Sequence, residues 1–240
     1  MRMRLLSALI WLCFALPVMA QDLTVFAAAS LRDALTEIAG HYPADVTLSF
    51  AGSGTIARQV AAGAPVDAVV LAHRDWTGWL VARGLVAEGT IREVAGGALV
   101  LIGPRSAAPL ANPDATSLIT ALSGGRLAIG QRDGVPAGTY ARAWLKSIGA
   151  WDALQPHLAE TDNVRAALAL VAQGAAPLGV VYASDAQVEP KVAIVHRVPA
   201  QAHAPIRYPA AALTAAGADF IAYLDTDTAR ATFEKFGLTP

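Results

Sequence analysis

Leu23-Thr-Val-Phe-Ala-Ala-Ala-Ser30 and Val46-Thr-Leu-Ser-Phe-Ala-Gly-Ser53 have the same grammar. Each is a short apolar run with strand character that ends in a small hydroxyl residue. Each is followed by a helix-periodic segment, Leu31-Arg-Asp-Ala-Leu35 after the first and Ile56-Ala-Arg-Gln-Val60 after the second. The first backbone N–H groups of a helix have no partner within it, and the aligned peptide dipoles place partial positive charge there. Two such helix starts held side by side by a parallel sheet form a donor-lined socket for a small anion. A third unit follows: Gly63-Ala-Pro65 breaks the second helix, Val66 to Leu71 is almost wholly apolar, and Trp76 to Arg83 is helical up to Gly84. This β-α-β-α-β-α order predicts an α/β fold with a parallel sheet covered on both faces.

The rest of the chain repeats the pattern. Ala98 to Ile102 is a strand, and the proline-punctuated stretch down to Asp114 is a crossing into a second unit. There Arg126 to Gly130 is a strand, Gln131 to Gly138 a loop and Tyr140 to Ile148 a helix. Val164 to Gln173 is a helix opened by Asp162-Asn163, and Leu178 to Tyr182 is a buried strand. Val192 to Val198 is a further strand, Pro199 to Pro209 a return, and Ala210 to Leu213 a last strand. The tail has helical spacing at Phe220, Leu224, Phe233 and Phe236 and is expected to pack on the first unit. The expected division is residues 21–102 with 207–240 as one lobe and 103–206 as the other, with a ligand cleft between them.

Residues 1–20 read as an export signal: Arg2 and Arg4, an apolar run from Leu5 to Leu16, and the small-residue site Val18-Met19-Ala20. The apolar run is shorter than the ~20 residues a membrane span needs. Cys13, the only cysteine, lies inside it and not at a lipoprotein cleavage site. Cleavage near Ala20 therefore leaves an exported mature chain without thiol or disulfide chemistry. A net charge of −1 and the lack of a basic cluster give no case for nucleic acid.

Other chemistries find weaker support. Gly52-Ser-Gly54-Thr-Ile-Ala57 fits the dinucleotide fingerprint G-x-G-x-x-G/A, with Asp75 about 20 residues on. That fingerprint normally opens the first βαβ unit, whereas one strand–helix pair precedes it here. Ser53 lacks the flanking glycines of a hydrolase nucleophile elbow. His41, His73, His157, His196 and His203 show no metal-ligand spacing and read as loop or surface residues. Ser30-x-x-Asp33 is a capping-box pattern, and Asn163 an N-cap candidate. Pro136 marks a helix start, which leaves Gly138 unexplained.

Taken together, the chain is similar to the periplasmic molybdate-binding proteins of ABC importers, the ModA family. The resemblance spans nearly the whole mature chain. It is carried by Val25 to Leu31, Phe50-Ala51 with Ser53, Ala57-Arg-Gln59, Gly63-Ala-Pro65 with Asp67, Gly124 to Ala128, Val135-Pro-Ala-Gly138 and Gly149-Ala-Trp151. Further on come Val164-Arg165 with Ala167 to Leu170, Ala176 to Gly179, and Val181-Tyr182 with Ser184-Asp185. The resemblance implies a two-lobed, type II periplasmic-binding-protein-like fold and a non-enzymatic role. The cargo would be molybdate and tungstate, with molybdenum bound only as its oxyanion and no cofactor, and sulfate remains an alternative oxyanion. A monomer would deliver the ion to a membrane permease. Ligand contacts carry over to the hydroxyls and N–H groups of Ser30 and Ser53, the N–H groups of Ala137 and Val164, and the hydroxyl of Tyr182. Gly52 and Gly54 depart from the family's run of serines, and Leu71-Ala-His73 from its more polar strand end.

Overall fold

The computed structural model describes residues 23–240; the export signal read in the sequence lies outside them. The chain begins with β1 (Leu23–Ala28), a 3-10 turn (Ala29–Leu31), α1 (Arg32–His41), β2 (Val46–Ala51), α2 (Ser53–Ala61), β3 (Ala68–Val70), α3 (Arg74–Val81) and β4 (Arg92–Gly97). It continues with β5 (Leu99–Pro104), α4 (Ala115–Leu122), β6 (Leu127–Gly130), α5 (Pro136–Ser147), α6 (Trp151–Leu154), β7 (Leu158–Thr161), α7 (Val164–Ala172) and β8 (Leu178–Tyr182). The last elements are α8 (Ala183–Gln187), β9 (Val192–Arg197), β10 (Ile206–Ala212), α9 (Ala215–Tyr223) and α10 (Asp227–Lys235).

The strands form two five-stranded sheets with one plan. The first runs β2-β1-β3-β10-β4 and the second β7-β6-β8-β5-β9. In each, three consecutive strands are parallel. The fourth position is held by a strand antiparallel to both neighbours, β10 in the first sheet and β5 in the second. The expected all-parallel sheets are thus mixed, for a topological reason: the reversed strand is the one by which the chain enters each lobe from the other. It also moves a boundary. Leu99–Pro104 belongs to the second sheet, so the first crossing falls at Ala98, between β4 and β5, and not after residue 102. The return lies between β9 and β10, and Tyr208 and Pro209, read in the sequence as connecting loop, are strand residues at a register shift.

Apolar patterning explains the layers. Val69 packs with Ile56, Val60, Leu71 and Leu80 on one face of the first sheet. Its neighbours Ala68 and Val70 face the other core with Leu31, Leu35 and Ile38. Alternate residues of a strand point to opposite faces, and both faces are covered by helices, so every strand position must be apolar. The tail folds into two helices and not one, and Phe220, Leu224 and Phe233 are fully buried. In α5 the sequence reading started too late: Pro136 already lies in the first turn, where its missing N–H costs nothing. Gly138 is then explained, because a Cβ there would overlap the carbonyl oxygen of Gly130 at the end of β6.

Candidate functional site

The shared plan places corresponding strand ends opposite each other. Ser30 follows β1 and Ala137 follows its counterpart β6; Ser53 follows β2 and Val164 follows β7; Tyr182 ends β8. All five residues line one small cavity between the sheets, together with Ala28, Gly52, Ala72, Val135 and Asn163. It is tight: about 10 Å³ of it is open to the centre of a water-sized sphere, the space of about one water molecule. No aspartate, glutamate, histidine, lysine or arginine lines it.

Each donor is fixed by its own surroundings. Ser53 is the first residue of α2, with Gly52 at the N-cap. Its side chain is 1% exposed, and its Oγ accepts a hydrogen bond of 2.9 Å from the backbone N–H of Ala72. Ser30 is 3% exposed, and its Oγ accepts from the Tyr208 hydroxyl at 3.2 Å. With one lone pair of each oxygen engaged, each serine keeps its own hydrogen to give. The capping-box reading of Ser30 and Asp33 fails here. Ser30 sits in the 3-10 turn, Leu31 occupies the N-cap of α1 and no side chain caps it.

On the other side, Val164 and Ala137 are the first and second residues of α7 and α5, so neither N–H has a carbonyl to reach within its helix. Asn163 caps α7 as the sequence implied, accepting from Ala166 N–H at 3.0 Å. The Tyr182 hydroxyl is buried without a hydrogen-bond partner. An orphan of that kind costs about 1–3 kcal/mol. Burial first, then the neighbouring Tyr208 and Tyr140, raises its pKa well above the ordinary tyrosine value, which keeps it a protonated donor.

Around this cavity lies a set of residues that sequence reading missed. Arg165, next to Val164, bonds Asp185 through Nε at 2.5 Å and Asp33 of the other lobe through Nη2. Burial of Asp185 pushes its pKa up to about 6 against the pull of Arg165. Burial would lower the pKa of Arg165, but Asp185 and Asp33 more than offset it, and the net shift is upward. Asp185 also accepts from the N–H of Tyr182 at 3.2 Å. The signal was present in Val164-Arg165 and Ser184-Asp185, but nothing in the sequence joined positions 20 apart. Tyr208 was hidden because Pro209 beside it reads as a loop.

The histidines divide differently from the sequence reading. His196 lies on β9 and stacks on Trp144, with ring centres 5.9 Å apart. His73 caps α3, accepting from Asp75 N–H at 3.1 Å, and packs against Tyr140 across the lobes at 5.0 Å. Burial lowers its pKa, with Asp75 pulling the other way. Among the described residues no cluster of three His, Cys, Asp or Glu could hold a metal ion. The space a pyrophosphate would need at Gly52 and Gly54 is taken by the second lobe, for Gly54 N–H donates to the carbonyl of Gly134 at 3.1 Å.

Known proteins share this architecture. Residues 23–239 match the family described as bacterial extracellular solute-binding protein. A molybdate-binding protein ModA of Escherichia coli (strain K12) is 39% identical, over 90% of this chain and 88% of its own length. Its namesake in Haemophilus influenzae is 38% identical, over 90% of this chain and 89% of its own. The solved periplasmic molybdate-binding protein of Azotobacter vinelandii has the same fold, with a TM-score of 0.79 over 91% of this chain and 99% of that one at 23% identity. With a match from end to end of the described residues and such identity across nine-tenths of its length, the chain belongs to the bacterial extracellular solute-binding proteins, in the group of the ModA molybdate-binding proteins.

Proposed function

We propose that this protein captures molybdate outside the cytoplasm, in the periplasm, and delivers it unchanged to the permease of an ABC importer. The observation that carries the reading is the convergence of Ser30, Ser53, Ala137, Val164 and Tyr182 on one small cavity with no charged side chain in its wall. Molybdate is a dianion whose oxygens only accept hydrogen bonds, and hydroxyl and N–H groups supply what it needs. The helix starts behind Ser53, Ala137 and Val164 add partial positive charge.

The donor set also sorts ions. A protonated phosphate brings an O–H that requires an acceptor, and no carboxylate lines the cavity; an unpaired buried polar group costs about 1–3 kcal/mol. Sulfate matches in chemistry and differs in size, so its exclusion rests on a rigid cavity. Tungstate, nearly equal in shape and charge, binds alongside molybdate. The protein acts as a carrier without catalysis and without a cofactor: neither serine has a histidine or carboxylate beside it in the cavity wall to make it a nucleophile. Because each lobe supplies part of the donor set, the ion is held fully only when the lobes meet, and it shifts the protein toward that state by its better contacts there. The closed monomer is what the permease receives.

Calorimetry with metal-free mature protein tests this. Submicromolar binding of molybdate and tungstate is expected, with sulfate and phosphate much weaker. A preference for sulfate, or no binding of molybdate, overturns the assignment.

A further inference from the structure

Tyr208 is not one of the five donors, yet it touches one donor from each lobe. It lies on β10, the strand by which the chain returns to the first lobe, and is fully buried. Its hydroxyl donates to Oγ of Ser30 at 3.2 Å, and its ring stands edge-on to that of Tyr182 with centres 6.0 Å apart. The other connection between the lobes supports it as well. β4, which leads out of the first lobe, pairs with β10, and a Cβ on Gly97 at the end of β4 would lie 3.5 Å from Cε2 of Tyr208 and 3.7 Å from its hydroxyl.

Counting hydrogens shows what this phenol does. Burial, with Asp185 adding to it, raises its pKa above the ordinary tyrosine value, so it stays protonated. Among the described residues Ser30 Oγ is the only hydrogen-bond partner of the Tyr208 hydroxyl, and Tyr208 the only partner of the Ser30 side chain. The pair holds two hydrogens, and only one of them can lie between the two oxygens. If Tyr208 donates, the hydrogen left over belongs to Ser30, which lines the cavity. If Ser30 donated instead, the hydrogen left over would belong to Tyr208, which does not line the cavity and has no other acceptor. A buried donor without an acceptor is disfavoured, and an ion that only accepts can relieve Ser30 but cannot reach Tyr208.

We infer that Tyr208 is a positioning residue that fixes the Ser30 hydroxyl as a donor to the bound oxyanion and strengthens it in that role. The inference rests on the oxyanion-binding reading above and adds a determinant of affinity that never meets the ion. An oxygen that accepts one hydrogen bond gives its own hydrogen more strongly, by about 10–30% per bond along a chain. The first lobe's donor site is thus completed by a residue 178 positions further on, after the chain has built the second lobe and come back.

A double-mutant cycle of Tyr208→Phe and Ser30→Ala tests this. Phenylalanine keeps the ring and its packing and removes only the hydroxyl. Melting temperature followed against molybdate concentration reads both the affinity of each variant and its ligand-free stability. Tyr208→Phe is expected to weaken molybdate binding about three- to tenfold when Ser30 is present. In the Ser30→Ala background, where the hydroxyl it aims is gone, the same change is expected to cost less than about twofold. Without ligand, Ser30→Ala alone lowers the melting temperature, because the Tyr208 hydroxyl loses its acceptor, and adding Tyr208→Phe restores most of the loss.

Equal losses of affinity in the two backgrounds reduce Tyr208 to packing and overturn the inference. So does an affinity of Tyr208→Phe within about twofold of wild type, or failure of that variant to fold. Should Ser30→Ala alone not fold, the double variant must, since it removes the orphaned hydroxyl together with its partner; a double variant that also fails to fold overturns the inference. If the melting temperature of wild type does not respond to molybdate, the functional reading falls, whereas equal losses in the cycle leave that reading standing.

Discussion

The two lobes meet the cavity at equivalent strand ends but with different materials. The first offers two serine hydroxyls whose oxygens are already held by Ala72 N–H and the Tyr208 hydroxyl. The second offers the unpaired N–H groups of two helix starts and one phenol with no partner at all. The third strand end shows the contrast most directly. After β3 the chain turns a backbone N–H, that of Ala72, inward to support Ser53; at the end of β8 the equivalent position carries Tyr182, which supports nothing. One lobe's hydroxyls are therefore held within their own lobe, while the other's phenol has no protein partner where the lobes meet. Such a division lets the ion bind first to a finished half-site and then draw the unfinished half onto itself.

The largest expected effect separates the two kinds of donor. Tyr182→Phe removes a hydrogen bond to a charged acceptor, worth about 1.5–3 kcal/mol, so molybdate affinity falls by roughly 10- to 100-fold. The ligand-free protein does not lose stability, because no protein group bonds the Tyr182 hydroxyl; thermal unfolding with and without molybdate checks both halves of that statement. Ser53→Ala comes next, weakening binding by about tenfold. Here the ligand-free protein is also destabilised, by about 1–3 kcal/mol, since the buried N–H of Ala72 loses its acceptor. If both variants shift ligand-free stability in the same direction, the contrast between a finished and an unfinished half-site collapses.

The smallest effect lies outside the cavity. The Asp33–Arg165 pair crosses the lobes, but Asp33 is about a third exposed, and such pairs contribute up to about 1 kcal/mol. Asp33→Asn therefore weakens molybdate binding by about two- to fivefold, and the difference shrinks as salt is raised. Titrations at low and high ionic strength check it; a loss as large as that of Tyr182→Phe would make the ion pair, not the donor cavity, the main source of closure.

Much of this was legible along the chain. Runs such as Leu23 to Ala28 or Leu178 to Tyr182 declare buried strands because covering both faces of a sheet forces every position to be apolar. Small or capping residues at their ends declare helix starts. Ser30, Ser53, Val164 and Tyr182 could therefore be placed at junctions by local patterning, while their use as ligand contacts, like that of Ala137, came from the resemblance to a family.

Local patterning also gave the order of most elements, though not β4, α4 or β7, and the second lobe's repetition of the first, because backbone hydrogen bonding and burial act between near neighbours. What only the tertiary structure decided joins distant positions: the reversed strands β5 and β10, the Tyr208 hydroxyl on Ser30, Arg165 between Asp33 and Asp185, and the carbonyl of Asp162 seated on Gly52. Those contacts depend on how two separately built sheets dock. Docking is set by shape across many residues far apart in the chain, which leaves no periodic mark on any short stretch of sequence.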